Sequence, residues 1–196
     1  MSSAAPPTDG ASRSVLDLLF ELQALDRVPR IGYSLRGVAD AESVAEHLFH
    51  VAFLVWALAG REDGLDRARA FEIALIHDLA EVRFGDLPRT AAHYLPAGAK
   101  AGAELAALRD LLTPLGADGE RGAALLEDYQ EGGTAEARFV RVCDKLQLVV
   151  KALWYRGSGV ESVAEFADSL DRFDDGGFSS VRAVVEALER RRDQDA

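Results

Sequence analysis

The residues best suited to chemistry in this chain are a histidine and an aspartate that stand side by side, His77 and Asp78. They follow an apolar run, and two more candidate ligands, His47 and Asp144, lie in other apolar segments. Burying such polar groups is unfavourable unless a partner compensates for the lost water. A metal ion can bind imidazole nitrogen and carboxylate oxygen at the same time. The four residues therefore predict a metal site with nitrogen and oxygen ligands.

Each of these residues also has an ordinary structural explanation. A buried histidine can donate a hydrogen bond to a carbonyl, and Asp144 could pair with its helical neighbours Arg141 or Lys145. Any one residue taken alone is better explained in this way. The complete set, joined by Glu81, instead favours a metal site.

Glu81 and Asp86 are carboxylates that follow the His-Asp pair. If one helix continues through residue 81, Glu81 shares a face with His77 and Asp78, because residues three or four apart are neighbours on a helix. Beside a metal, a carboxylate can take a proton from an attacking water. A purely structural metal site needs no such neighbour, so Glu81 and Asp86 favour catalysis.

The mixed ligand set also narrows the choice of metal. Imidazole with carboxylate suits Mn, Co, Fe, Ni or Zn better than Ca, which prefers oxygen ligands. The chain holds 4 histidines, and only His47 and His77 are placed as ligands, so we predict one ion. With four protein ligands, an octahedral ion keeps two positions for water and a substrate oxygen.

Composition limits the possible partners. The chain has 196 residues, 48% apolar content and a formal net charge of −11, which fits one globular domain that repels nucleic acid and anionic membranes. A phosphorylated substrate then needs a local basic pocket. The single cysteine, Cys143, excludes an internal disulfide and indicates the cytoplasm. No apolar run reaches the roughly 18 residues of a membrane span.

Helical periodicity positions these residues on an all-α bundle. We predict a disordered tail over 1–12 and a domain over 13–194, with a loop over 28–41 beside Arg27 that holds Arg30 and Arg36. Ser43 and Glu46 form a capping box for the second helix. The predicted helices cover 14–27, 43–59, 66–82, 97–114, 118–131, 134–156, 161–174 and 179–193. No window alternates as a strand would, so we predict no sheet.

Several blocks of the sequence resemble the HD-domain metal-dependent phosphohydrolases, and most narrowly the HD-domain 5′-deoxynucleotidase family. The similarity extends over about 14–175. It is carried by Arg27-Val28-Pro29-Arg30, Arg36-Gly37-Val38, Glu42-Ser43-Val44-Ala45-Glu46-His47, His77-Asp78-Leu79-Ala80-Glu81, Gly85-Asp86-Leu87-Pro88, Glu136-Ala137-Arg138-Phe139-Val140 and Asp144-Lys145. The blocks that begin at Glu42, His77 and Gly85, in this order, are the specific part of the similarity.

The resemblance implies an HD-type fold, a homodimer, and release of phosphate from deoxynucleoside 5′-monophosphates. It implies a metal held by His47, His77, Asp78 and Asp144, with Glu81 and Asp86 orienting or deprotonating water. It also implies that Arg27 contacts the phosphate. Some bacterial members have Trp where this chain has Val28, and the following loop here is longer. Arg30 or Arg36 could therefore contact the phosphate instead of Arg27, and Lys145 is a further candidate cation.

Two other functions remain open at the level of sequence. One is a different HD phosphohydrolase, either a cyclic-nucleotide phosphodiesterase or a nucleoside triphosphatase. The other is a non-catalytic helical interaction module with a structural metal. A triphosphate would add negative charge to a protein already at −11, with no P-loop to receive it, so monophosphates are favoured.

Overall fold

The computed structural model describes residues 9–195, and within that range the side chains of 9–13, 89, 193 and 195 are not described. The predicted all-α fold is confirmed: across 9–195 there is no β-strand, and one isolated bridge pairs Pro29 with Ser43. The α-helices are α1 (Asp9–Leu22), α2 (Ile31–Ser34), α3 (Val44–Leu58), α4 (Arg67–Ile76), α5 (Glu81–Phe84), α6 (Arg89–Ala92), α7 (Ala99–Leu112), α8 (Ala117–Glu131), α9 (Ala135–Gly157), α10 (Ala164–Ala167) and α11 (Ser179–Asp195). Short 3₁₀ turns cover Gln23–Arg27, Ala59–Arg61, Thr113–Leu115, Glu161–Val163 and Asp168–Arg172.

The capping box predicted at the start of α3 is confirmed. The backbone N–H of Glu46 donates to Ser43 Oγ at 3.2 Å, and the backbone N–H of Ser43 donates to Glu46 Oε2 at 2.7 Å. A cap of this kind stabilises a helix by about 1 kcal/mol. It fixes the first turn of α3, which carries the buried His47 into the centre of the molecule.

Helix α4 ends earlier than predicted, so the continuous helix over 66–82 is wrong. The side chain of Asp66 caps its start, but the helix stops at Ile76 and tight turns follow until α5. The ring nitrogen Nδ1 of His77 lies 2.8 Å from Ala74 O, the carbonyl that a continuing helix would offer to the backbone N–H of Asp78. The chain therefore turns at the His-Asp pair and presents both side chains at the end of α4.

Other segments also differ from the prediction. The loop over 28–41 contains the helical turn α2, and α1 begins at Asp9, inside the segment predicted as a tail. The rest of that predicted tail, 1–8, lies outside the described residues. The helix predicted over 161–174 is broken into α10 and two 3₁₀ turns, where Ser169 Oγ donates to Phe166 O at 2.5 Å. A serine hydroxyl that binds a nearby carbonyl competes with the helical ladder.

The main core lies where α3, α4, α8 and α9 pack together. Its fully buried members include Val51, Ile73, Phe139 and Leu146. Helix α9 is the longest of the described helices, with 23 residues, and it brings Asp144 against the buried end of α3. Within 9–195 no helix is both long and apolar enough to cross a membrane.

Candidate metal centre and active site

Three of the predicted metal ligands come together between α3 and the end of α4. The candidate ligand atoms of His47, His77 and Asp78 all lie within 4.8 Å of one another. Asp78 Oδ2 is 3.5 Å from Nε2 of His47 and 3.5 Å from Nε2 of His77. Both imidazoles have fully buried side chains, so the two Nε2 atoms face each other and a carboxylate away from bulk water.

The orientation of the two imidazoles fits a metal ion. His77 Nδ1 lies 2.8 Å from Ala74 O, and His47 Nδ1 lies 2.8 Å from Gln147 Oε1. These contacts occupy the Nδ1 atoms and leave each Nε2 for the site. Both Nε2 atoms are buried, and neither makes a well-formed hydrogen bond within the described part of the chain. Buried polar atoms rarely lack both a hydrogen bond and a ligand. A metal cation suits the two Nε2 atoms, because each can offer it a lone pair.

Asp144 reaches the same place from α9. Its Oδ1 lies 3.1 Å from His47 Nε2, and its Oδ2 accepts a hydrogen bond from Tyr129 Oη at 3.0 Å. Asp144 thus lies beside the group formed by His47, His77 and Asp78. The structure thus brings all four predicted ligands to one location, with Asp144 at its edge.

The charged groups of the site change one another's pKa values. Burial favours a higher pKa for Asp78 and Asp144, but the neighbouring histidines and Arg30 outweigh it and hold both pKa values below their ordinary range. Burial and Arg30 act to lower the pKa of His47, whereas Asp144 and Asp78 raise it, and the net result is a raised pKa. Metal ligation needs a neutral imidazole, so metal binding competes with a proton on His47.

Glu81 is a buried carboxyl at the start of α5. Burial, and then the negative charges of Asp78 and Asp86, raise its pKa to about 10. Its Oε2 is buried and without a hydrogen-bond partner in the described structure. In the absence of a metal, Glu81 is therefore protonated at neutral pH.

This raised pKa predicts a pH-dependent stability for the metal-free protein. The folded pKa of Glu81, about 10, lies above the ordinary value of 4.5, so its contribution is complete below about pH 4.5 and is lost as the pH rises towards 10. Glu81→Gln removes the titration while keeping the shape. Between pH 5 and pH 9, the Tm of chelator-treated wild type should fall further than that of the variant, by at least about 2–4 °C, which is roughly 1 kcal/mol.

The control for this prediction is Glu127→Gln, because Glu127 has a half-exposed side chain in a long ion pair with Arg109. Its thermal unfolding should follow that of wild type at both pH values. Parallel pH profiles for wild type and Glu81→Gln would contradict the raised pKa.

The loop before α3 places Arg30 over the carboxylates. The backbone N–H of Arg30 donates to Glu42 O at 2.7 Å, which ties this loop to the start of α3. Arg30 Nη1 donates to Asp78 Oδ2 at 3.0 Å, and its Nε lies 3.8 Å from Asp86 Oδ2. Asp86 also accepts a hydrogen bond from the backbone N–H of Ile31 at 2.9 Å. Arg30 is thus the guanidinium that lies against the metal centre.

A cleft of about 670 Å³ opens onto these groups. Asp78, Glu81 and Asp86 form an acidic wall at the metal centre, and Glu165 lines the cleft beside Arg36. Its cations are Arg30, Arg36 and Lys100, and its aromatic side chains include Tyr33, Tyr94 and Phe166. A space of this size, with a few charged groups and aromatic walls, suits a small phosphorylated molecule.

The other predicted cations are distributed differently. Arg36 lines the cleft, where its guanidinium lies 4.0 Å from the centre of the Phe166 ring and pairs with Glu165. Arg27 and Lys145 are exposed and are not among the described residues that line the cleft.

Lys100 was not singled out from the sequence. It lies in the first turn of α7 and pairs with Glu104 at 3.2 Å. Burial acts to lower its pKa, but Glu104, Glu81 and Asp78 raise it overall. Lys100 stands in a run of alanine and glycine, and no local pattern indicates that it faces the cleft.

The chain is similar in sequence and in fold to several known proteins. A family model described as HD domain matches residues 22–175. The human protein 5′-deoxynucleotidase HDDC2 is 34% identical over 156 residues, covering 79% of this chain and 74% of the relative. HDDC2 from Bos taurus is 33% identical over 159 residues, covering 79% and 76%. A conserved hypothetical protein of known structure from Pyrococcus furiosus is 34% identical with a TM-score of 0.76, covering 89% of this chain and 99% of that one.

Proposed function

Because this chain belongs to the HD-domain family, we propose that it is a metal-dependent phosphohydrolase that releases phosphate from nucleoside 5′-monophosphates. The observation that carries the proposal is the pair of buried Nε2 atoms of His47 and His77, which face Asp78 and make no well-formed hydrogen bond among the described residues. The relatives named 5′-deoxynucleotidase support monophosphates, and deoxynucleotides in particular, as the substrate class.

The metal would be held by two imidazoles and two carboxylates. These are His47, His77, Asp78 and Asp144. The mixed nitrogen and oxygen donors support one divalent transition ion, which we propose to be Mn, Co, Fe, Ni or Zn. When bound, such an ion supplies Lewis acidity, which lowers the pKa of water near the phosphate and draws charge from a phosphoryl oxygen.

We assign the proton transfer to Glu81. Its carboxyl opens onto the cleft beside Asp78 and has one oxygen free of hydrogen bonds within the described structure. The negative charges that raise the pKa of Glu81 are those of Asp78 and Asp86, so a divalent cation among these groups favours the ionised carboxylate. Ionised Glu81 can then take the proton from a water that attacks phosphorus. Asp86 holds the Arg30 loop in place through the backbone N–H of Ile31.

The cations of the cleft offset the charge of the phosphate. Arg30 offers a guanidinium at the metal centre, and Lys100 approaches Glu81 and Asp78 from α7. Charge-assisted contacts of this kind are the strong ones, and a guanidinium can bind two phosphate oxygens at once. Three cations suit one phosphate better than a triphosphate, because the protein as a whole carries a net charge of −11.

The test is an activity screen on the purified protein with added Mn²⁺ or Co²⁺. We expect phosphate release from 5′-monophosphates such as dAMP, and none from dATP or from cyclic AMP. Faster turnover of dATP or of a cyclic nucleotide would support another HD phosphohydrolase instead. A protein that binds metal but cleaves none of these would be an interaction module with a structural metal.

A pair of arginine variants locates the phosphate contact. Arg30→Ala should lower kcat/KM for dAMP by about 10- to 150-fold, which corresponds to the roughly 1.5–3 kcal/mol of a charge-assisted contact. Arg27→Ala should change kcat/KM by less than about threefold, because Arg27 is exposed and outside the cleft lining. A larger loss of kcat/KM in Arg27→Ala than in Arg30→Ala would assign the phosphate contact to Arg27, as the resemblance implies.

We also propose a homodimer in the cytoplasm, with no nucleic-acid or membrane partner. The net charge of −11 supports the absence of nucleic-acid and membrane partners, and the single cysteine supports the cytoplasm.

The dimer is supported by an aromatic strip on α3, where Phe49, Phe53 and Trp56 are each more than half exposed. Light scattering should give twice the chain mass of 21.2 kDa for wild type and a monomer for Phe53→Glu.

A further inference from the structure

Two buried polar residues lie behind His47, on the side away from the candidate metal. Gln147 Oε1 lies 2.8 Å from His47 Nδ1, and Gln147 Nε2 donates to Glu42 Oε1 at 2.7 Å. Glu42 and Gln147 have no place in the chemistry proposed above, and both are almost completely buried. We refer to these two side chains as the Glu42–Gln147 relay.

The relay fixes the direction of each hydrogen bond in turn. Glu42 Oε1 also lies 2.9 Å from His50 Nδ1 and 3.6 Å from Lys151 Nζ, so three nitrogen atoms converge on this one oxygen, which acts as an acceptor. The NH₂ group of Gln147 must therefore face Glu42. Its carbonyl oxygen then faces His47, and an imidazole nitrogen beside a carbonyl oxygen must carry the proton.

The burial of Glu42 reduces the stability of the fold, so the residue needs an explanation other than packing. Its side chain has no exposed surface, and its Oε2 lacks a hydrogen-bond partner among the described residues. A buried carboxylate with an unsatisfied oxygen reduces stability, and an apolar residue would pack there without that loss. The position therefore serves something other than packing.

We propose that Glu42 and Gln147 are positioning residues that hold His47 in the Nδ1–H tautomer and so direct its Nε2 lone pair towards the metal. The inference rests on the proposed metal site but not on the identity of the substrate. Partners of this kind behind a metal-bound histidine typically change metal affinity by about 10- to 100-fold when they are removed. His77 needs no such relay, because a backbone carbonyl, Ala74 O, takes the same role.

The first test is a titration of chelator-treated full-length protein with Zn²⁺ alone. Glu42→Gln and Gln147→Leu should each weaken Zn²⁺ binding by about 10- to 100-fold. The matched control is Glu62→Gln, which changes a partly buried carboxylate that follows the other end of α3 and accepts a hydrogen bond from the backbone N–H of Ser180. Its Zn²⁺ affinity should stay within about threefold of wild type. Equal losses in Glu62→Gln and Glu42→Gln would show that the loss does not depend on the contact with His47 and would overturn the proposal.

The second test reads the tautomer directly, by ¹⁵N spectra of histidine-labelled, metal-free protein at a pH where the rings are neutral. Wild-type His47 should carry its proton on Nδ1. Glu42→Gln lets the amide of Gln147 turn over, so a population of Nε2–H tautomer should appear at His47 while His77, held by a backbone carbonyl, stays unchanged. An unchanged His47 tautomer in folded Glu42→Gln would overturn the proposal. Neither measurement uses a nucleotide, so failure of the proposed hydrolysis leaves this result intact.

Discussion

Replacing Asp78 with alanine is expected to abolish both metal binding and phosphate release. Asp78 Oδ2 is 3.5 Å from each Nε2 of the two histidine ligands, so its loss removes the oxygen that joins them. It also removes the partner of Arg30, whose guanidinium lies 3.0 Å away and would then repel a cation. Metal content measured by mass spectrometry should fall from about one ion per chain to a background level, and turnover should fall with it.

The control for this variant is Asp118→Ala, which removes an exposed carboxylate from the first turn of α8. It should keep the metal content and activity of wild type. Retention of the full metal content in folded Asp78→Ala would show that the ion is held elsewhere and would remove the basis of the proposed site.

The second large effect is expected for Glu81→Gln and Glu81→Ala, which should keep the metal and lose most of the turnover. Glu81 opens onto the cleft beside Asp78 without belonging to the group of His47, His77 and Asp78. A general base contributes about 10²- to 10⁴-fold to a rate, so kcat for dAMP should fall by that amount with metal content unchanged. Glu127→Gln again provides an exposed control.

A loss smaller than tenfold in both Glu81 variants would assign the proton transfer to Asp86 or to water alone. Loss of the metal together with the activity would instead make Glu81 a ligand. The two outcomes are separated by measuring metal content on the same preparations used for kinetics.

The parts of the fold that depend on local chemistry could be predicted from the sequence. The capping box of Ser43 with Glu46 and the Asp66 cap fix where α3 and α4 begin, because both act within one turn of helix. Polar residues in otherwise apolar helices pointed to His47 and Asp144, since burial needs a partner. These signals were sufficient for the all-α architecture and for the residues that meet at its centre.

The end of α4 could not be predicted in this way. The segment up to Glu81 has no Gly or Pro to stop a helix, so the periodicity continues through it. The chain turns there because the ring of His77 takes the carbonyl of Ala74. Glu81 consequently reaches the cleft from the start of α5 rather than from the helical face that was predicted.

The residues that reach the site from distant parts of the chain could be predicted only in part. Arg30 was among the predicted cations, but the sequence does not choose between Arg27, Arg30 and Arg36. Arg30 lies over the carboxylates because the loop before α3 is tied down by the bridge between Pro29 and Ser43. Lys100 enters the cleft through the placement of α7, which depends on packing. One feature of the sequence indicates a buried role for Gln147, because it is a polar residue three positions after Asp144 on an apolar helix.

In the proposed function, one metal ion at His47, His77, Asp78 and Asp144 drives hydrolysis of a nucleoside 5′-monophosphate. A titration of chelator-treated protein with Mn²⁺, in which phosphate release from dAMP is followed, tests this dependence on the metal. We predict no release without metal, a rise with each addition, and a plateau at about one ion per chain. Release of phosphate from dAMP by the metal-free protein would rule out the metal-dependent reaction, and faster release from dATP than from dAMP at the plateau would rule out the proposed substrate class.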